Sequence, residues 1–529
     1  MKSTTLRRAA ALTAGAALAL GVAVAGPAAQ AAPIAKPVGA DPSPAAVGAA
    51  YLAKQPGADG IIVSHSEYLG TQYDTPSPGI TIDAALSLDA VGGQAATVAK
   101  MATGVEASTY PTGSAGGAAK FAAFEYALGR TGAALNAAVT KANGAIATSG
   151  VYAGRLENAP GATDYESPLT QAYAAKALHD AGASNAAIAL DFLLDQQCAA
   201  GFFRSDFSDK DADNQSCDPA DPDGSLPSVD YTAFAVLQLQ DQKAAAPVAA
   251  SLSKAITWLT TQQGADGSYD GNANSTGLAA WALGISGQTN AAVKAATWLR
   301  AHQLANAGSC AVFAAADNGA LVVDDLGVIN AKAAPMDINA NSTATYATSQ
   351  ALPALLWAPG GAQAGETTLS VADAFVPAGS TQNVTISGAP GDTICASTGG
   401  AGTRIVLPAS GTATYPLTLP AATGAVTVST VDAGGEADSI KITGLTAAKI
   451  KAKAPKKIAQ GKKFKVKATG FAPGEPVTVK YRGKTKELTA NGQGVLRVKL
   501  KATKVGTSKV KVTGALSSRK DKVTVTVVK

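Results

Sequence analysis

Tyr51-Leu52-Ala53-Lys54-Gln55-Pro56-Gly57-Ala58-Asp59-Gly60 returns far downstream as Trp258-Leu259-Thr260-Thr261-Gln262-Gln263-Gly264-Ala265-Asp266-Gly267. In both copies a helix-like stretch ends in Gln and a Gly-rich turn, and an Ala-rich helix with a Ser/Thr/Asp start follows. Phe192-Leu193 and Trp298-Leu299 mark further helices of the first kind, and 172–178 and 279–283 are small-residue tracts of the second. Thr81, Thr170, Ser275 and Ser342 stand where a helix N-terminus needs an acceptor. Recurrence at roughly 45 residues implies stacked helical hairpins, because one hairpin cannot bury its own apolar face. The sequence places six of them, at 45–93, 94–133, 134–182, 183–241, 247–288 and 289–360.

The Gln and Gly-rich turn followed by an Ala-rich helix resembles the prenyltransferase and squalene-cyclase repeat of the terpenoid cyclase-like proteins. The resemblance covers about residues 45–360. It implies an all-α (α/α)6 toroid, with inner helices around a central cavity and outer helices wrapping them. Six hairpins are the number that closes such a ring.

From about Glu366 the pattern changes to alternating residues with Gly/Pro turns, the mark of antiparallel β structure. Gly379-Ser380-Thr381-Gln382-Asn383-Val384 leads to Gly388-Ala389-Pro390-Gly391-Asp392, and Gly461-Lys462-Lys463-Phe464-Lys465-Val466 leads to Gly470-Phe471-Ala472-Pro473-Gly474-Glu475. The match resembles a duplicated bacterial immunoglobulin-like module. Two all-β sandwiches are therefore expected after the toroid, at 366–445 and 446–529.

Residues 1–31 read as a secretory signal, with Lys2, Arg7 and Arg8 before an apolar run and Ala29-Gln30-Ala31 at the cleavage position. An Ala/Pro-rich linker fills 32–44. A secreted chain, associated with the cell wall, is the expectation, and four cysteines suit that oxidising compartment. Cys198 and Cys217 bracket one loop and would close it as a bridge. Cys310 and Cys395 remain, and four cysteines allow three pairings.

Charge is divided sharply. The overall net of +5 conceals 23 Lys/Arg against 3 Asp/Glu over 446–529, leaving 20 basic and 35 acidic residues before it. Such asymmetry informs about partners rather than fold. Lys462, Lys463, Lys465 and Lys467 alternate along one strand, and Lys480, Arg482, Lys484, Lys486, Arg497, Lys499 and Lys501 follow. Lys-rich faces discourage edge pairing, yet a net near +20 exceeds the roughly 2 to 8 that keeps a small domain soluble. A cell-wall polyanion or another anionic surface is the expected partner of this module.

Two constellations in the helical region invite chemistry. The loop after Cys198 holds Asp206, Asp209, Asp211, Asp213, Asp218, Asp221 and Asp223. Asp209, Asp211 and Asp213 imitate the opening of a calcium loop, but Asn214 and Ala220 occupy the Gly and Glu positions. A solvated, disulfide-stapled loop is the simpler reading, with calcium its competitor. At the inner-helix starts, Asp230-Tyr231, Asn274-Ser275 and Asn341-Ser342 fall at places read as equivalent, with Asp164 and Tyr165 joining from the third hairpin. Capping explains any one of these residues. As a set they mark a polar mouth, beside helix N-termini that favour polar or anionic ligands.

The reading is a non-catalytic ligand- or surface-binding protein. An aspartic acid catalyst of the cyclase type needs an Asp-x-Asp-Asp motif, and Asp209-Lys210-Asp211-Ala212-Asp213 departs from it. Carbocations also need aromatic walls, and aromatics are 5% of the chain. The alternative is a divergent terpenoid cyclase or prenyltransferase-like enzyme, or a polysaccharide-active one drafting Asp164, Glu166, Asp230 and Tyr231.

Overall fold

The computed structural model describes residues 40–68, 70–158, 166–218, 225–360 and 366–529. The stretch read as a signal, most of the one read as a linker, and Asp164, Tyr165, Asp221 and Asp223 lie outside the described residues. Fourteen α-helices come first: α1 (Ser43–Leu52), α2 (Pro78–Val91), α3 (Ala95–Ala107), α4 (Tyr110–Gly113), α5 (Ala115–Ala127), α6 (Ala133–Gly144), α7 (Pro168–Asp180), α8 (Ala186–Asp195), α9 (Val229–Leu239), α10 (Ala246–Gln262), α11 (Ala273–Ile285), α12 (Thr289–Ala301), α13 (Asp325–Ala333) and α14 (Ile338–Ala351). An antiparallel hairpin, β1 (Val63–Tyr68) with β2 (Thr71–Pro76), projects between α1 and α2.

The Ala-rich helices α2, α5, α7, α9, α11 and α14 pack in succession, and α14 returns to α2, so the ring is closed. Helices α1, α3, α6, α8, α10 and α12 wrap it. Small side chains allow this closeness. A Cβ at Gly277 would overlap Ala351 on the neighbouring inner helix, and one at Gly284 would overlap the Trp357 ring. The result is one apolar core running from Ala45 to Ala358.

A repeated staple explains the closure. In successive turns, Gln171 Nε2 donates to Gly154 O and Ala189 O, Gln197 Nε2 to Gly201 O and Ser251 O, and Gln263 Nε2 to Gly267 O and Ala291 O. Each glycine has positive φ and lies against the next outer helix. A Cβ at Gly201 would sit 2.5 Å from Lys254 O, and one at Gly267 2.5 Å from Lys294 O. The sixth turn makes the same contact on the first helix. Gln303 Nε2 donates to Pro44 O at 2.8 Å, and Gly319, with φ 100°, abuts Val47 O. The staple is the second glutamine of a pair at Gln197 and Gln263, whereas Gln171 reaches its turn from α7; Pro56 takes the place in the first turn, where Gln55 bonds Tyr51 O instead.

A second repeated bond joins each turn to its own inner helix. Thr81, Thr232, Thr276 and Thr348 accept the N–H groups of Ile62, Phe203, Tyr269 and Leu321, at 2.9–3.0 Å. Gln171 does the same for Leu156.

The β region holds two sandwiches of one topology. The first contains β3 (Thr368–Ser370), β4 (Phe375–Pro377), β5 (Thr381–Ser387), β6 (Thr393–Ser397), β7 (Thr403–Val406), β8 (Thr412–Thr418), β9 (Gly424–Asp432) and β10 (Ala437–Leu445). The second contains β11 (Lys451–Lys453), β12 (Lys457–Ala459), β13 (Lys463–Thr469), β14 (Pro476–Tyr481), β15 (Lys484–Thr489), β16 (Val495–Lys501), β17 (Gly506–Thr513) and β18 (Lys520–Val528). Sheets β3-β5-β8 and β4-β10-β9-β6-β7 correspond strand for strand to β11-β13-β16 and β12-β18-β17-β14-β15. Alternation is clean in the second, where Phe464, Val466 and Ala468 face inward between outward lysines.

The expected bridge Cys198–Cys217 staples the acidic loop, and of the pairings left open Cys310–Cys395 forms and ties the toroid to the first sandwich. Beside the second bridge, the buried Arg300 guanidinium on α12 reaches Asp41 at 2.5 Å, Asp392 at 3.1 Å and Pro390 O at 3.3 Å. Burial pushes Asp392 up to about 6, Arg300 opposes this, and Asp432 and Asp41 add to it. A carboxyl whose pKa is raised on folding stabilises most below its unfolded pKa and loses that contribution as pH rises through the folded value.

Two outcomes follow. Gly319→Ala should lower stability by about 2 kcal/mol or more in urea unfolding, through backbone strain and the clash with α1. Asp392→Asn should flatten the fall in thermal stability between pH 4 and 6 (a wild-type loss on the order of 3 kcal/mol). An unchanged pH slope would place that titration elsewhere.

Candidate functional site

The stapling threonines set a common register for the inner helices. Two residues past each one, the side chains turn to the ring axis, giving a layer of Asp83, Lys120, Tyr173, Phe234, Leu278 and Gln350. All are buried or nearly so. Lys120 Nζ lies 2.7 Å from Asp83 Oδ1 and 5.4 Å from the Tyr173 ring centre. Burial works against its charge, but Asp83, together with Tyr173 and Tyr110, outweighs it and the Lys120 pKa is raised. Gln350 Nε2 donates to Asp83 Oδ2 at 3.4 Å, and Asn274 Nδ2 donates to Gln350 Oε1 at 3.2 Å. The charged groups at the centre of the ring are therefore committed to one another.

One layer nearer the helix starts, where the sequence suggests a mouth, stand Gly79, Gly116, Asp230, Asn274 and Tyr346. Tyr110 fills the space that Gly79 leaves, and Glu166 Oε1 accepts the Gly116 N–H at 3.0 Å. Asp230 on α9 bonds Ser275 on α11, while its Oδ1 is buried without a hydrogen-bond partner. Burial raises the Asp230 pKa, the Ser275 bond opposes, and the nearby Asp270 carboxylate adds to the rise. Tyr231 is half-buried beside it, and its N–H donates to the capping Ser228.

Asn341 and Ser342 do not stand at the places equivalent to Asn274 and Ser275. The staple is the fourth residue of α2, α9 and α11 but the eleventh of α14, whose start is extended by two turns. Tyr346 and Ala347 hold the equivalent places. Asn341 Oδ1 instead accepts the Tyr51 hydroxyl at 2.9 Å, and Ser342 Oγ accepts the His65 N–H at 2.8 Å, which seats the β1–β2 hairpin on α14. Burial pushes Tyr51 up to about 12.

In the acidic loop, Asp209, Asp211 and Asp213 are exposed. Among the described residues no three acidic, His or Cys side chains converge as metal ligands. Buried Arg204 organises the loop from within. Its Nε and Nη2 donate to Gln196 Oε1, its Nη2 to Gln215 O and its Nη1 to Ser208 Oγ. Gln215 takes the Asp209 backbone carbonyl, so the Asp209 carboxylate stays outside.

The basic strands combine more densely than alternation alone shows. In the β11-β13-β16 sheet, Lys463 stands directly opposite Lys501, Lys465 opposite Lys499, and Lys467 between Lys453 and Arg497, with Lys451 in the next row. All eight are exposed, on one face. Like charges directly opposite one another are destabilising. None of the eight has an ion-pair partner among the described residues.

No family model matches the chain, and no curated protein matches it. Solved structures resemble it at a distance. Over 59% of this chain it is similar to a protein from Actinoplanes (16% identity, 99% of that chain, TM-score 0.39) and to the type II terpene cyclase MstE from Scytonema (14%, 96% of that chain, TM-score 0.38). Over 30% it is similar to the Yersinia pseudotuberculosis adhesin InvE (17%, TM-score 0.18), of whose length it spans 58%.

Asp83 and Lys120 carry no repeat signature. The one sequence signal was a single lysine in an Ala-rich tract, 115–123, otherwise without charge. Lys120→Met should destabilise by about 3–5 kcal/mol, by stranding Asp83 in the core, and adding Asp83→Leu should recover most of that loss. Urea unfolding of the two single variants and the double variant measures the coupling.

Proposed function

We propose that this is a secreted, non-catalytic binding protein of the cell envelope. Its C-terminal sandwich attaches it to an anionic surface, and its toroid, a divergent relative of the prenyltransferase and squalene-cyclase repeat, offers a polar mouth to a ligand. The observation that carries the attachment is the face of eight unpaired cations in β11, β13 and β16. Two disulfides suit an oxidising compartment, and among the described residues no helix is long and apolar enough to cross a membrane. The axial layer is consistent with the non-catalytic reading: Asp83 is neutralised by Lys120 and accepts the Gln350 amide, so the axial carboxyl is held as a paired anion rather than as a proton donor.

A second reading rests on Asp230. A carboxyl held toward its neutral form, with one oxygen unbonded, is the chemistry of a proton donor, as a divergent cyclase or a glycan-active enzyme would need. Turnover of any isoprenoid or glycan by wild type, lost in Asp230→Asn, would establish it over the binding reading.

Attachment is tested by sedimentation of the full chain with isolated cell envelope. Binding should fall at least tenfold between 50 and about 200 mM salt, as counterion release requires. Retention unchanged in high salt would overturn electrostatic attachment.

A further inference from the structure

The two sandwiches share sheet order and register but not surface. Lys451, Lys453, Lys463, Lys465, Lys467, Arg497, Lys499 and Lys501 correspond by register to Thr368, Ser370, Thr381, Asn383, Thr385, Thr414, Pro416 and Thr418. In the first sandwich the row that matches Lys463 and Lys501 is closed by a hydrogen bond, Thr381 to Thr418 at 3.1 Å. The fold is thus built without a single cation at these places, and the directly opposed lysines of the second sandwich work against it. The opposite sheet of the second sandwich is basic as well but more mixed. Lys480, Lys511 and Lys522 form one row there, while the flanking rows set Lys520 beside Thr513 and Thr478 and Lys509 beside Thr524, with Glu487 opposite Thr478.

We propose that the outward face of the β11-β13-β16 sheet is a binding site for a linear phosphate polymer. The proposal rests on the attachment reading above and names the face and the ligand class. Alternate residues of a strand repeat at about 6.8 Å, so β13 and β16 present two straight columns of cations side by side, each three charges long. A polymer lying along the columns meets positive charge from both sides at every row. Seven of the eight cations are lysines, compact point charges that serve phosphate without the planar geometry arginine reads. The face has no aromatic side chain on which nucleic-acid bases could stack and no large apolar side chain beyond half-buried Val495 to enter a lipid layer. A flexible chain bearing one phosphate per unit fits it best.

The test uses the full-length protein and inorganic polyphosphate as the probe, with two variants of equal charge change. One carries Lys463→Thr, Lys465→Asn, Lys499→Thr and Lys501→Thr, largely copying the first sandwich. The other carries Lys480→Thr, Lys509→Thr, Lys511→Thr and Lys522→Thr on the opposite sheet. The first should weaken polyphosphate binding at least 100-fold and reduce the slope of log affinity against log salt by about 3. It should also melt no lower than wild type, since opposed charges are removed. The second should weaken binding less than fivefold. Equal losses in both variants would overturn the face assignment while leaving attachment by net charge intact. Binding to anionic phospholipid vesicles but not to polyphosphate would overturn the ligand class. No binding by wild type to either probe, or to the envelope, would remove the attachment reading as well.

Discussion

The ring depends on a contact that the last hairpin makes with the first. Gln303 and Gly319 apply to α1 the same staple that the preceding turns apply to α8, α10 and α12. A row of hairpins with this contact left open would expose an unpaired outer helix and the flank of an inner one. Closure buries both, and it also creates the axis. Asp83 and Lys120 belong to neighbouring inner helices, but Gln350, itself bonded by Asn274 on α11, reaches Asp83 only because α14 returns to α2. Two charges can be held in an Ala-rich core because they neutralise one another and the amides satisfy what remains.

The same sequence of constraints continues outward. Arg300 on α12 gathers Asp41, from before α1, and Asp392, from the first sandwich. The seam of the ring and the seam between domains are therefore joined at one guanidinium, beside the Cys310–Cys395 bridge. Farther on, buried Arg519 pairs with Glu475 and donates to Thr446 O at the boundary of the two sandwiches. Neutralised buried cations thus sit at both joints, whereas the unpaired cations gather on an outer face of the last module. The first kind serves the structure, and the proposed attachment rests on the second.

The pair of sandwiches separates fold from surface. Inward positions keep the same apolar alternation in both, as Val384 and Ile386 in β5 and Val466 and Ala468 in β13 show. The outward positions are free to differ, and they do, from Thr and Asn to Lys. A protein with a duplicated module can vary one outer face without risk to either core, since side chains on opposite faces of a strand do not share contacts.

The hairpin count, the outer and inner helices, and the two β modules were legible because hydrophobic period and turn residues are local signals, each contained in a few dozen residues. The alternating lysines of β13 were legible for the same reason. Their opposition to Lys499 and Lys501 was not, because register is set by which strands pair. At the helix starts, Asp230 and Ser275 do meet across α9 and α11, but Asn341 and Ser342 were displaced by a two-turn extension of α14 that begins at the capping residue Asp337. Asp83 and Lys120 look like isolated charges until the helices that carry them are packed. Sequence by itself decided which stretches repeat as helices, where the β modules follow and which face of their strands is apolar, but not the β1–β2 hairpin between α1 and α2. Only the tertiary structure decided which charges neutralise one another, because that depends on distances between residues the chain holds far apart.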